Sequence, residues 1–114
     1  MAKRFIEKAL KDHPSMSCRI RIYEDGTIEL VSYTTMVLRA VRRDPDTREY
    51  WVEAHGTFWD NERVFTPTTA RHLSYFLREY FPDLSYYTFK YAAEKTGEVL
   101  EATLDKGVNL DYDW

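Results

Sequence analysis

The residues of this chain that could do chemistry are few and badly spaced for it. His13, His55 and His72 form no His-x3-His pair, and Cys18 is the only cysteine, so neither a histidine nor a thiolate metal site is expected. Cys18 falls on the apolar side of an alternating stretch, which suits a buried structural thiol better than a nucleophile. Four scattered glycines (Gly26, Gly56, Gly97, Gly107) make no phosphate-cradling loop. Acids are plentiful, but no pair of them stands isolated in an apolar setting where one carboxyl would stay protonated as the partner of the other. These absences point away from an enzyme, and no cofactor or metal is expected.

Binding chemistry is better represented. Aromatic residues make up 16% of the chain, including nine tyrosines and three tryptophans, the side chains that anchor interfaces and also fill small cores. On a helix expected from Pro67 to Phe81, Arg71, Ser74 and Arg78 fall at i, i+3 and i+7 and share an exposed ridge. Thr68, His72, Tyr75 and Glu79 make a second polar row beside it. Such a surface suits phosphate or carboxylate, or is simply a solvated helix face. Tyr87 and Tyr91 lie one turn apart on the next helix, away from its apolar stripe. They are either an exposed platform or packing against the C-terminal segment. Parity places Arg39, Arg43, Trp51 and His55 on the outer face of a sheet, which binds a partner or is covered by the first helix; covering is the expectation. Trp59 sits in Trp59–Arg63, read as a loop tip between aromatic anchors. The candidate binding residues are therefore Arg71, His72, Tyr75, Arg78, Tyr87, Tyr91, Trp51 and Trp59.

The elements that must position these residues can be read from periodicity. Residues 2–12 carry an apolar stripe, Phe5, Ile6, Ala9 and Leu10, and read as a short helix ended by Pro14. Cys18–Tyr23 alternates like a strand, and Glu24-Asp25-Gly26 signals a turn. A three-residue loop with Gly26 left-handed pairs Ile22 with Ile28, Ile20 with Leu30 and Arg21 with Glu29, keeping one face apolar. A straight strand over 27–43 would run ~55 Å, so a bend or tight turn is expected near Ser32–Thr35. Asp44–Thr47 is a surface turn, and Tyr50–Ala54 returns with Ala40 opposite Val52, Arg39 opposite Glu53 and Val41 opposite Trp51. Thr66 caps the helix that opens with Pro67 and buries Ala70, Leu73, Phe76, Leu77 and Tyr80 before Pro82 stops it. Ser85 caps a second helix to about Lys95, ended by Gly97, with Tyr86, Phe89 and Ala93 inward; 98–114 could hold a short strand or helix. The expectation is α+β: a small antiparallel β-meander of three to four strands packed against two to three helices. All of 1–114 forms one domain, with an acidic tail fraying from about 105.

Charge and hydropathy bound the setting. The net charge of −3 divides into −4 over residues 94–114, with six acids against two bases, and +1 over 1–93, so neither part is a polycation built for nucleic acid. No apolar run is long enough to span a bilayer, and Glu7, Lys8 and Lys11 interrupt any signal-peptide core after the basic start. A cytosolic protein with no membrane contact is expected, and Trp51 on an outer sheet face would allow a homodimer.

Two short stretches carry a resemblance. Ser32-Tyr33-Thr34-Thr35-Met36-Val37 resembles an S-Y-x-T-x-V element, and Thr68-Thr69-Ala70-Arg71-His72 resembles a T-T-x-R-H helix start. Together, over roughly Ser32 to Tyr91, they resemble a family of small bacteriophage and prophage proteins. The resemblance implies a stoichiometric protein acting in the host bacterial cytoplasm. That function is inhibition of a host protein or ribonucleoprotein complex, of the anti-defence or anti-CRISPR kind. The alternative is a nucleic-acid-binding phage accessory protein using Arg39, Arg42, Arg43, Arg71 and Arg78.

Overall fold

The computed structural model describes residues 4–55, 66–94 and 99–112. Six strands, β1 (Phe5–Ala9), β2 (Cys18–Tyr23), β3 (Ile28–Ser32), β4 (Thr35–Arg42), β5 (Glu49–Ala54) and β6 (Leu100–Thr103), form one antiparallel sheet in the order of the sequence. Two helices, α1 (Pro67–Tyr80) and α2 (Tyr86–Glu94), lie on one side of it. The class is α+β, with more strands than the three to four expected.

The extra strands come from the two ends of the chain. Residues 5–9 are β1, not a helix, with Ile6 opposite Ile22 and Glu7 opposite Arg21. The pattern Phe5-Ile6-x-x-Ala9-Leu10 satisfies a helical stripe, but it also places Ile6 and Leu10 on one side of a strand. What decides is the free edge of β2, which satisfies backbone groups and buries Leu10 in the core. The ambiguous 98–114 region supplies β6 on the opposite edge, pairing Ala102 with Tyr50. The outer edge of β6 is not left bare, because Thr103 N–H donates to both carboxylate oxygens of Asp83, 3.0 and 3.1 Å away.

The central registers are those expected. Ile22 faces Ile28, Arg21 faces Glu29, Ala40 faces Val52 and Arg39 faces Glu53. Gly26 adopts φ +92° in the three-residue loop, and its carbonyl accepts a 2.7 Å hydrogen bond from the buried Tyr50 hydroxyl. The chain reverses at Tyr33-Thr34 between β3 and β4, within the expected window, and Tyr33 takes φ +56°. The register shifts between Leu30 and Val31: Leu30 faces Leu38 but Val31 faces Met36, so Val37 is an extra residue. This β-bulge turns Val37 into the core beside Leu38.

Even-numbered strand residues (Ile20, Ile22, Ile28, Leu30, Leu38, Ala40, Tyr50, Val52) and the helix residues Leu73, Phe76, Leu77, Tyr80 and Phe89 make the core between sheet and helices. Each Leu, Ile or Phe fully buried there contributes roughly 1.5–3 kcal/mol of transfer free energy. Thr66 caps α1 by accepting from Thr69 N–H at 3.2 Å, and Ser85 caps α2 by accepting from Thr88 N–H at 3.1 Å. Lys95 and Gly97, expected to end α2, lie outside the described residues. Beyond β6, Arg48 donates to the carbonyls of Leu104, Asp105 and Val108, and Val108, Leu110 and Tyr112 pack partly buried against the core. No helix among the described residues is long and apolar enough to cross a membrane.

Candidate interaction surfaces

The second polar row of α1 is half-buried, and buried outright at His72. His72, expected on an exposed row with Tyr75, is 1% exposed, and its Nδ1 is hydrogen-bonded to Ser32 Oγ at 2.8 Å. Tyr75 stacks on His13 with ring centroids 5.6 Å apart, His13 lies 4.9 Å from His72, and His72 lies 5.9 Å from the Tyr33 ring. Arg78 closes the series over Tyr75 at 5.8 Å. Glu79, last of the row, accepts from Lys11 N–H at 2.7 Å. The row therefore docks the segment around His13 and the β3–β4 turn onto α1. A polar row that meets other polar and aromatic groups has the same sequence pattern as one that meets water, so helical spacing alone does not place His72 inside. His13, Ser32 and Tyr33 are the partners that periodicity did not find. The two stretches that carry the phage-protein resemblance meet here, since Ser32 and Tyr33 belong to one and Thr69 and His72 to the other.

Ser32 is 3% exposed, so its hydroxyl is enclosed together with the His72 ring it bonds. Burial holds His72 below the ordinary imidazole range, and the nearby His13 and Arg71 push it the same way. Cys18 is equally enclosed, its thiol pushed up to about 12 by burial. Among the described residues, no group of three or more His, Cys, Asp or Glu could hold a metal ion.

The first ridge of α1 is available. Arg71 and Arg78 are exposed, and Ser74 and Arg78 form one wall of a groove of about 390 Å³ between α1 and α2. Leu77, Pro82 and Leu84 line it with apolar surface, and Ser85, Tyr86 and Tyr87 form the other wall. Tyr87 is 79% exposed with its ring edge-on to Tyr86, and Tyr91, one turn on, is 60% exposed. Arg78 and Tyr87, singled out on separate helices, thus share one site. Among the described residues, Arg78 is its only charged lining residue and no carboxylate lines it.

The opposite face of the sheet carries Arg43 and Trp51. The helix expected to cover it is β1, and among the described residues no helix packs there. Trp51 is 39% exposed beneath the Arg43 guanidinium, 4.7 Å from its ring. The arginines of this face have carboxylate neighbours: Arg21 with Glu7 at 3.0 Å, Arg39 with Glu29 at 3.8 Å, Arg43 with Glu49 at 3.1 Å and Glu101 at 3.6 Å. His55 is paired with Glu53 at 2.9 Å. Trp51 therefore lies across the sheet from Arg71, Arg78, Tyr87 and Tyr91, and one flat partner cannot engage both sets. Trp59 lies outside the described residues. A second cavity, of about 360 Å³, is bordered by Lys8, Lys11 and Arg78 but equally by Asp12, Glu79 and Asp105, so the charges of its described lining balance. Comparison with family models, with curated proteins and with solved structures finds no match to this chain.

Proposed function

We propose that the chain is a non-enzymatic binding protein that holds a segment of a partner protein in the groove between α1 and α2. The observation that carries this is the groove's lining: an apolar floor, a protruding tyrosine and Arg78, the charged side chain among its described lining residues. An arginine on an apolar rim favours a partner that brings an acid next to an apolar side chain, and exposed Tyr and Arg are the residue types that dominate binding energy. The partner is proposed to be a host protein complex inhibited by occupancy, of the anti-defence kind, and this part rests on the resemblance to phage proteins.

The test is a pull-down from nuclease-treated bacterial lysate with the tagged chain, its Arg78→Glu and Tyr87→Ala variants, and Trp51→Lys as a control on the far face. One stoichiometric protein should be retained by the native chain and by Trp51→Lys, and lost or weakened by ~2 kcal/mol, roughly thirtyfold, in the groove variants. A protein held equally by all four chains removes the groove from the reading.

A second reading, a nucleic-acid-binding accessory protein, draws on the same face. Tyr87 and Tyr91, one turn apart and exposed, could stack bases beside Arg71 and Arg78. It predicts affinity for single strands that drops steeply with salt, and partners that vanish on nuclease treatment. The sheet-face arginines, each beside a carboxylate, would add little to phosphate binding.

A further inference from the structure

The outer sheet face has a pattern that the helix-side reading does not use. Across five strands, one row of opposed residues runs Glu7, Arg21, Glu29, Arg39, Glu53, alternating in sign at every strand. Two residues along each strand the neighbouring row includes Phe5, Tyr23, Val41 and Trp51. A charged row, in which Glu29 is largely buried and held by the Tyr23 hydroxyl and Arg39 of its own chain, and an apolar–aromatic row therefore lie side by side on a face that no described helix covers.

An alternating row complements a copy of itself when the two are offset by one strand. Consider a two-fold axis parallel to the strands and passing between β3 and β4. Face to face, β3 of one copy lies over β4 of the other, and β2 over β5. Arg21 then meets Glu53 and Trp51 meets Tyr23, while the exposed Arg39 lies over the partner copy's largely buried Glu29, with each contact made twice. An axis centred on one strand would instead set Arg21 over Arg39, so the charges select the register. We propose that this face is a two-fold interface between two copies of the chain, independent of what the groove between α1 and α2 binds.

The size of the face sets the strength. Six strands about 4.8 Å apart and five residues of roughly 3.3 Å give a footprint of roughly 400–500 Å² per copy. The total, roughly 800–1,000 Å², is at or below the lower limit for a specific interface, so the dimer is weak and its population depends on concentration. Because the contacts across it are mostly charge pairs, it weakens as salt rises.

Sedimentation equilibrium over about 1 µM to 1 mM tests this, with a chain mass of 13.6 kDa as the monomer reference. The native chain should move from one mass to twice that mass. Trp51→Lys, which changes a partly exposed residue outside the core, should weaken dimerisation at least ~tenfold while keeping the native circular dichroism. As a second measurement, a nitroxide on Asp46→Cys, in the exposed turn between β4 and β5 and off the packed face, reports the register, since buried Cys18 is shielded from labelling. With sheets about 10 Å apart, the two labels should lie within about 20 Å of each other. A monomer throughout the range overturns the proposal. So does a dimer indifferent to Trp51→Lys, or one whose labels are far apart, which would place association at a sheet edge or on the helices.

Discussion

Ser32 Oγ and His72 Nδ1, forty residues apart in sequence, lie 2.8 Å apart inside the protein, joining the end of β3 to the first half of α1. The Ser32→Ala variant would leave that buried ring nitrogen without its partner. An unsatisfied buried polar atom costs about 1–3 kcal/mol, so the urea midpoint of Ser32→Ala should fall accordingly at pH 7.5. A loss below a few tenths of a kcal/mol would mean that the nitrogen finds another partner.

The same imidazole makes stability depend on pH. Burial, His13 and Arg71 hold the folded-state pKa of His72 below its ordinary value of 6.5. The unfolded chain therefore binds a proton that the folded one resists, and stability rises with pH where they differ. The contribution is complete above pH 6.5 and is lost as pH falls from there through the depressed folded value. Urea titrations at pH 7.5, 6.5, 5.5 and 5.0 should show a progressive fall in the native chain and a shallower one in His72→Gln. Parallel profiles would assign the acid sensitivity to other groups. The His13 ring lies 4.9 Å from His72, centroid to centroid, so a charge on His72 acts on the segment around His13 and loss of order should begin there. Amide exchange at Lys11, whose N–H is held by Glu79, reports that opening.

What the sequence could and could not reveal follows from how specific each pattern is. Ile20, Ile22, Ile28 and Leu30 alternate on either side of a Gly-containing turn, and one register alone keeps them together, so the β2–β3 pairing was legible to the residue. The Arg39–Glu53 and Ala40–Val52 pairing of β4 and β5 was legible for the same reason. Phe5–Leu10 is too short to separate a period of 3.6 from one of 2, and its strand identity depends on the edge of β2, which is not a local property. His72 failed differently. Its row was correctly placed on one side of α1, but the aromatic and hydroxyl groups it meets come from residues 13, 32 and 33, and helical spacing carries no information about them. The groove between α1 and α2 was half legible: Arg78 and Tyr87 stood out singly, while their meeting depends on the angle of the turn at Pro82–Ser85.

Tyr33 holds a left-handed conformation, φ +56°, at the β3–β4 turn, where a residue with a Cβ is strained. Its carbonyl accepts from Arg19 at 3.0 Å and its N–H donates to Ser17 O at 2.7 Å, bonds that fix the backbone whatever the side chain. Tyr33→Asn keeps those bonds and places a residue that tolerates the left-handed region. It should stabilise by about 0.5–1 kcal/mol, read from the thermal midpoint. A destabilised Tyr33→Asn would show instead that the ring's contact with His72 outweighs the backbone strain.

Gly26 gives the opposite sign at the neighbouring hairpin. Its φ is +92°, and a Cβ there would stand 3.0 Å from the Arg42 guanidinium. The arginine is flexible and can give way, so the backbone sets most of the cost. Gly26→Ala should therefore destabilise by more than about 1 kcal/mol, with Tyr50 losing the geometry of its bond to the Gly26 carbonyl. The signature is a shift in near-ultraviolet circular dichroism from that buried tyrosine together with a lowered midpoint.

Arg48 ties the end of the chain to the sheet. One guanidinium donates to three carbonyls, at Leu104, Asp105 and Val108, beneath a segment that also places Leu110 and Tyr112 against the core. A lysine keeps the charge but not the planar fork, so Arg48→Lys cannot hold three separated acceptors at once. The expected cost is roughly 2–4 kcal/mol from the charge-assisted bonds, concentrated locally. Amides of Asp105 and Val108, which donate to Tyr80 O and Asp105 O, should exchange faster by at least ~tenfold in Arg48→Lys, while those of β2 and β3 keep their protection. Uniform loss of protection across the sheet would mean that residues 104–112 are part of the cooperative core and not a strap clamped onto it by one side chain.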